Sequence, residues 1–387
     1  VDFNLSTEEL ALKDDFRAYA ERYFSRANVR QWQRDGGLPD DVCKAFINEY
    51  LGHASLLGDA SGGGSLLAQV IATEEVSRVA GASLPFSSDI MNLRIMNKFA
   101  GSSKSMHHML ETYRETGRLA FALAVSEPSA GSDTMAMRTT VSAQGESYVL
   151  KGSKTFVANG EFAPFVMVAA VEPDVASDGY PTLSFWMVPR NSEGLNAYPI
   201  GKIGQKIVPF ADIVFDDVRL EPSFRLQGEG KAGFPQLFHL LEIGRVMVCA
   251  QSLGMAQAAM EDAVSYARNR MAFGKNIASF QQIEQMLVDM EVKIVNMRSL
   301  VYRAAWAFDH DSSDKRLLVA MAKRYVPRAA TEVASDALQV LGGRGYTENE
   351  RVGSIWQDCR GNQIAEGTDQ IMIHIAGPLL MESYDAS

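Results

Sequence analysis

The sequence predicts an α+β chain that is mostly α, with a β region set between two helical ones. Two observations carry this. The apolar period switches from helical spacing to short alternating runs near residue 120, and returns to helical spacing after Gly233. The last third then holds long amphipathic segments of the kind that pair into a bundle. The chain has 387 residues, 47% of them hydrophobic, which allows a large core and roughly two or three domains. The zones read as an N-terminal helical domain over 1–120, a middle β domain over 121–230 and a C-terminal helical bundle over 231–387.

In Leu5-Ser6-Thr7-Glu8-Glu9-Leu10, Ser6 is placed to cap a helix, Glu9 to reach back, and Leu5 to staple against Leu10. This reads as a folded start rather than a targeting leader. Leu10, Leu12, Phe16, Tyr19 and Ala20 mark one apolar face, and Leu66, Val70, Ile71, Glu74 and Val79 another. Ser61-Gly62-Gly63-Gly64 between them lacks the Lys-Ser/Thr and preceding strand of a phosphate loop, so it reads as a connection. In the second zone Leu119 to Val125 is an apolar run, followed by turn-rich Ser126 to Asp133. Val141-Ser142-Ala143 and Tyr148-Val149-Leu150 flank the turn Gln144-Gly145-Glu146-Ser147 as a hairpin. Phe165 to Val171, Leu183 to Val188 and Ile213 to Phe215 are further strands between Gly, Pro and Asn breaks. In the third zone Phe234 to Arg270, Phe280 to Asp309, Lys315 to Leu341 and a segment from Ile371 are helices. Their methionines (Met286, Met290, Met297, Met321) sit at core spacing.

The formal net charge of −10 argues against nucleic acid or an anionic membrane surface as a partner. Cys43, Cys249 and Cys359 are far apart with no CxxC, and the six histidines form no HExxH. Neither a disulfide framework nor a zinc site is expected, and His107-His108 reads as a surface pair. No apolar stretch reaches membrane-spanning length, so a cytoplasmic protein is expected.

The most chemical segment is Ala365-Glu366-Gly367-Thr368-Asp369-Gln370, about twenty residues after Gln339-Val340-Leu341-Gly342-Gly343-Arg344-Gly345-Tyr346. A Glu between a small residue and a glycine, opening an apolar segment, can face a buried ligand with both its carboxylate and its N–H. That suits removal of a proton beside a carbonyl, with the N–H steadying the oxyanion. The plainer reading is a solvated acid in a first helical turn. Three further constellations tip the balance. Ser126-Glu127-Pro128-Ser129-Ala130-Gly131-Ser132-Asp133 follows a strand and offers hydroxyls and N–H groups to a flavin edge or a phosphate. Lys151 to Gly160 ends a second strand and carries Phe156. Tyr266 to Lys275, followed by Gln281, offers Arg270 for a bidentate phosphate contact and Phe273 for stacking. Each alone is also an ordinary turn or a basic helix end.

Together, in this order, these residues resemble the acyl-CoA dehydrogenase family from the N-terminus to about Leu380. The resemblance implies FAD as cofactor, an acyl-CoA substrate, a homotetramer and an electron-transfer flavoprotein as partner. By position it implies that Leu123, Val125 and Ser126 line the flavin, with Gly131 and Ser132 near the pyrophosphate and Ser132 also near the CoA phosphates. Phe156 would cover the flavin. Arg270, Phe273, Gln281, Gln339 and Gly343 would come from the neighbouring subunit to hold the pyrophosphate and adenosine end, and Thr368 and Gln370 would complete the site. Glu242 and Arg245 would support the CoA tail, or form a helix-face ion pair. Glu366 would be the base, with its own N–H and Gly367 by the thioester; in some relatives the base stands one residue before Arg245, where this chain has Gly244.

Four departures stand out. Ala158 occupies the place of a Thr or Ser that donates to flavin N5. Ala365 replaces an aromatic beside the base, which leaves room for branched, cyclic or aryl acyl groups. Ser83 and Ser87 stand where glutaryl-specific relatives carry an Arg and its Ser, which disfavours a dicarboxylic substrate, and the segment Asp59 to Gly64 lacks the usual Pro-Glu. The implied reaction is α,β-dehydrogenation of an acyl-CoA. The alternatives are an enoyl-CoA reductase or acyl-CoA oxidase on the same fold, or a non-catalytic acyl-CoA-binding protein. A nitroalkane oxidase would carry Asp in place of Glu366.

Overall fold

A computed structural model describes residues 4–53, 56, 64–99, 104–117, 121–177, 180–226 and 233–385. The loop Ser61 to Gly63 and most of the segment from Asp59 lie outside them. Helices come first: α1 (Thr7–Tyr23), α2 (Arg26–Asp35), α3 (Asp40–Leu51), α4 (Leu66–Ala80), α5 (Phe86–Phe99) and α6 (Lys104–Thr116). The capping box of α1 forms as expected, with Glu9 N–H on Ser6 Oγ and Ser6 N–H on Glu9 Oε2 at 2.7 Å. Leu12, Phe16, Tyr19 and Ala20 are buried, but Leu10 is half exposed, because it falls well to the side of the stripe that meets α4.

Seven strands follow: β1 (Ala122–Ala124), β2 (Thr140–Gln144), β3 (Ser147–Ala158), β4 (Phe165–Ser177), β5 (Tyr180–Pro189), β6 (Leu195–Ile200) and β7 (Phe210–Leu220). They form one sheet in the order β1-β4-β2-β3-β7-β6, with β5 paired to β4. The expected hairpin is β2–β3, in register from Thr140↔Lys151 to Gln144↔Ser147. Strand β6 was not foreseen. It lies at an edge, and its residues are half-buried or exposed, so it lacks an apolar alternation to read. On β4 and β5 the two faces go to different cores. Met167, Ala169, Phe185 and Met187 pack against the helices, while Val166, Val168, Ala170, Trp186 and Val188 pack with Ile213, Phe215 and Leu220 of the sheet's own core. The β region is thereby fixed to the helical body through alternate residues of two strands.

The third region holds α7 (Phe234–Asn269), α8 (Gln281–Asp309), α9 (Lys315–Leu341), α10 (Val352–Asn362) and α11 (Asp369–Asp385). Helix α10 was not expected, since three of its five core-facing residues are Val352, Ile355 and Cys359 but the others are Asp358 and Asn362. Asp358 is a tie between regions: its carboxylate accepts from the N–H of Ser83 at 2.8 Å and from the N–H of Gln205 in the β6–β7 connection at 2.5 Å. Burial pushes its pKa up to about 6 in spite of these donors. Cys249 and Cys359 are buried thiols and Cys43 is half-buried, with no disulfide among the described residues. Among the described residues no helix is long and apolar enough to cross a membrane.

Candidate active site

Glu366 lies in the turn between α10 and α11, with left-handed backbone at φ 56°, and Gly367 follows at φ 98°. A left-handed Glu is costly, by about 1 kcal/mol or more, and persists only where its surroundings hold it. Two cations supply the hold. Arg245 on α7 donates from Nε to the Glu366 carbonyl at 3.0 Å, and Lys323 on α9 donates from Nζ to the Gly367 carbonyl at 3.0 Å. The turn aims the side chain inward. Its Oε2 is buried and has no hydrogen-bond partner among the described residues. Burial raises the pKa of this carboxylate above its ordinary value, and the charges of Arg245 and Lys323 only partly offset that.

The carboxylate lies over Gly244. A Cβ at position 244 would stand 2.7 Å from Glu366 Oε2 and 2.8 Å from its Cδ. The two alternative positions for a base therefore open onto the same space, and only one of them can carry the side chain. Gly244→Ala is expected to slow any reaction that uses this carboxylate by about 10²-fold, as misplacement by an ångström does. Equal flavin content and an unchanged rate in that variant would show that the close approach does not matter.

The neighbouring residues are placed as follows. Glu242 pairs with Arg316 at 3.0 Å, across to α9, rather than with Arg245. Thr368 Oγ1 accepts from the N–H of Ile371 at 3.4 Å and so caps α11, whose exposed Gln370 lies in the first turn. Ala365 is half-buried beside the base. Ser83 and Ser87 both face α7, where Ser83 Oγ meets Met255 Sδ at 3.8 Å and Gln251 Nε2 meets Ser87 Oγ at 3.5 Å.

A second group belongs to the sheet. Leu123 is on β1, with Val125 and Ser126 just after it, all half-buried; Gly131 and Ser132 are exposed on the turn beyond. Phe156 and Ala158 end β3, and Phe156 is 63% exposed at a left-handed φ of 55°. Phe156 is thus an exposed aromatic in a strained backbone position, and a Cβ at Gly131 would meet open space. Beneath it lies a device that sequence reading missed. Lys154 is wholly buried, and its Nζ donates to the Val125 carbonyl and to Glu127 Oε1, both at 2.9 Å. Glu127 also accepts from the N–H groups of Arg138 at 2.7 Å and Thr139 at 2.8 Å. The ends of this pair fare differently. Burial pulls Lys154 down to about 8, whereas the donors around Glu127 outweigh its own burial and hold it below the ordinary carboxylate range. The loop from Val125 to Thr139 is thus tied to β3 from beneath.

The third group lies at the far end of the bundle, where α7 ends, α8 begins and α9 ends. Arg270, Gln281, Gln339 and Gly343 are exposed there, and Phe273 is 95% exposed at φ 50°. Arg270 makes no side-chain hydrogen bond among the described residues. Along α7 it lies ~39 Å from Gly244, at 1.5 Å of rise per residue. One protomer therefore does not bring this group to Glu366.

The helical body, central sheet and C-terminal helices, with Glu366 held in a turn beside α7, match an oxidoreductase fold. Residues 122–218 match the family model described as acyl-CoA dehydrogenase, middle domain, and residues 231–379 match acyl-CoA dehydrogenase, C-terminal domain. The chain belongs to the acyl-CoA dehydrogenase family, whose members are FAD-binding flavoproteins. It is 34% identical to the probable acyl-CoA dehydrogenase YdiO of Escherichia coli, over 99% of each chain. It is 32% identical to the caffeyl-CoA reductase-Etf complex subunit CarC of Acetobacterium woodii, over 95% of this chain and 96% of that one. A solved acyl-CoA dehydrogenase from Slackia heliotrinireducens is 49% identical, with a TM-score of 0.91 over 100% of both chains.

Proposed function

We propose that the protein oxidises an acyl-CoA thioester between its α and β carbons, with Glu366 as the base and FAD as the acceptor. The observation that carries this is the buried, unpartnered Oε2 of Glu366 above Gly244. With no hydrogen-bond partner for Oε2 among the described residues and a raised pKa, the carboxylate is poised to take a proton. Its own N–H, in the same turn, is available to the thioester carbonyl as charge develops there.

FAD, when bound, would accept the β-hydrogen as hydride at N5. The chain's residues fit it in two sets: Leu123, Val125, Ser126, Phe156 and Ala158 for the ring, with Thr368 and Gln370 beyond, and Arg270, Phe273, Gln281, Gln339 and Gly343 for the other end. Gly131 and Ser132 lie where a pyrophosphate and the CoA phosphates would approach, and Arg245 with Glu242 would support the CoA side. Because the Arg270 group is so far from Glu366 along α7, a complete site calls for a second copy of the chain, and a homotetramer supplies it. Val288, Val292 and Val295 on α8 are each about half exposed, an apolar stripe suited to such an interface. Arg270→Ala is expected to weaken FAD retention at least tenfold, seen as loss of the 450-nm-region flavin band on gel filtration (roughly one to three kcal/mol for a charge-assisted contact). Full retention would remove Arg270 from the site.

The resemblance to CarC supports a second reading, an enoyl-CoA reductase working with an electron-transfer flavoprotein. That relative is named for an aryl substrate, and Ala365 leaves space beside the base here, so aryl and branched acyl groups are the first to test. The test is the visible spectrum of the purified protein before and after anaerobic addition of acyl-CoAs. Bleaching by one acyl class supports dehydrogenation and identifies the class. An oxidised band that no acyl-CoA bleaches, with the reduced band restored to colour by an enoyl-CoA, favours the reductase. A protein that takes up no FAD overturns both.

A further inference from the structure

We propose that Lys323 is the positioning residue of this site, its buried ammonium fixing the left-handed turn that aims the Glu366 carboxylate across Gly244. This rests on the reading of Glu366 as base. Lys323 lies on the buried stripe of α9 with Val319, Val326 and Ala330, where every neighbour on the stripe is apolar. It is 0% exposed, and among the described residues it has no carboxylate within ion-pair distance. An unpaired buried ammonium is an expensive way to fill a core position that a Met would fill. What the ammonium adds is directional. It donates to the carbonyls of Gly367 at 3.0 Å and Gln363 at 3.5 Å, the two sides of the turn that carries the base.

Arg245 grips the adjacent carbonyl, that of Glu366 itself. The two cations thus bind the main chain at consecutive residues and leave the carboxylate oxygen free. The charged and titratable groups facing Glu366 are Arg245 from α7 and Lys323 from α9. Those facing Lys323 are Cys249 and Arg245 from α7, Asp369 from α11, and Glu366. Asp369 is itself shared with Arg324 and Gln363, each at 3.5 Å. Lys323, like Arg245, joins the geometry of the turn to the charge beside the base, and it alone of the two does so from α9.

The experiment follows flavin bleaching anaerobically across pH, in flavin-replete parent, Lys323→Met, Lys323→Arg and Glu366→Gln proteins. The probe is the acyl-CoA that bleaches the parent best. In Lys323→Met the rate at pH 7 is expected to fall at least tenfold, and the acidic limb to move up by about one pH unit, because a cation that favours the ionised base is gone. Lys323→Arg is expected to return the limb toward the parent. A limb that stays in place in Lys323→Met, with flavin retained, overturns the proposal, since a purely structural lysine would change stability without moving it. If the Met variant fails to hold flavin, Lys323→Gln, which keeps a donor and drops the charge, is read the same way. Bleaching that survives in Glu366→Gln would instead remove the base on which the inference stands, and an inactive Glu366→Gln beside an unmoved limb would overturn the role of Lys323 alone.

Discussion

Glu366→Gln is expected to keep the flavin band of the holoenzyme while slowing its bleaching by acyl-CoA about 10³-fold, within the range that a general base contributes. The amide keeps the volume over Gly244, so the turn and its two cation contacts have no steric reason to move. It loses only the capacity to accept a proton. Burial raises the folded pKa of Glu366, so the parent's rate should climb as pH rises through a value above the ordinary carboxylate range. Stability should move the other way. A carboxyl with a raised folded pKa favours the fold fully below its unfolded pKa, and that contribution is lost as pH rises through the folded value. The Gln variant has no such loss, so at neutral pH it should melt higher than the parent, with the gap closing in acid. Undiminished bleaching in the Gln variant, or a lower melting temperature at pH 7 than the parent's, would contradict this account.

Lys154→Met is expected to destabilise the protein by about 3–5 kcal/mol, the usual cost of removing one partner from a buried pair. Neither side chain has water to fall back on: Lys154 is 0% and Glu127 4% exposed. Glu127 would keep the N–H groups of Arg138 and Thr139 but lose the cation, and the Val125 carbonyl would lose its donor. The loop carrying Val125, Ser126, Gly131 and Ser132 is tied down by these bonds, so flavin retention should fall with stability. The acid side supplies a check. Glu127 has a depressed folded pKa, so its contribution is present above the ordinary carboxylate value and is lost as pH falls through the folded one. Without Lys154 that loss should begin at higher pH. A variant as stable as the parent in urea, with the same acid midpoint, would show that the pair holds nothing.

Much of the fold was legible because its causes are local. The Ser6–Glu9 box, the buried stripe of α1 and the β2–β3 hairpin each need only a few adjacent residues to specify them. Edge strand β6 and the short helix α10 were not legible, because one is barely buried and the other buries Asp358 and Asn362 along with its apolar residues. At the site, Glu366 could be singled out from its neighbours Ala365 and Gly367 and from the resemblance of the motifs around it. Lys323 left a trace that was passed over: a lysine four residues after Val319 and three before Val326, on a stripe that is otherwise apolar.

The sequence by itself thus determined the helix–sheet–helix order and the family, and it singled out Glu366 as the candidate base. Tertiary structure alone decided that Gly244 and Glu366 share one space, that Arg245 and Lys323 hold consecutive carbonyls, and that Arg270 stands a bundle's length from the base. The physical reason is distance along the chain. Periodicity and capping act within one or two turns, whereas each of those contacts joins residues that only the packing of α7, α9 and the turn before α11 brings together.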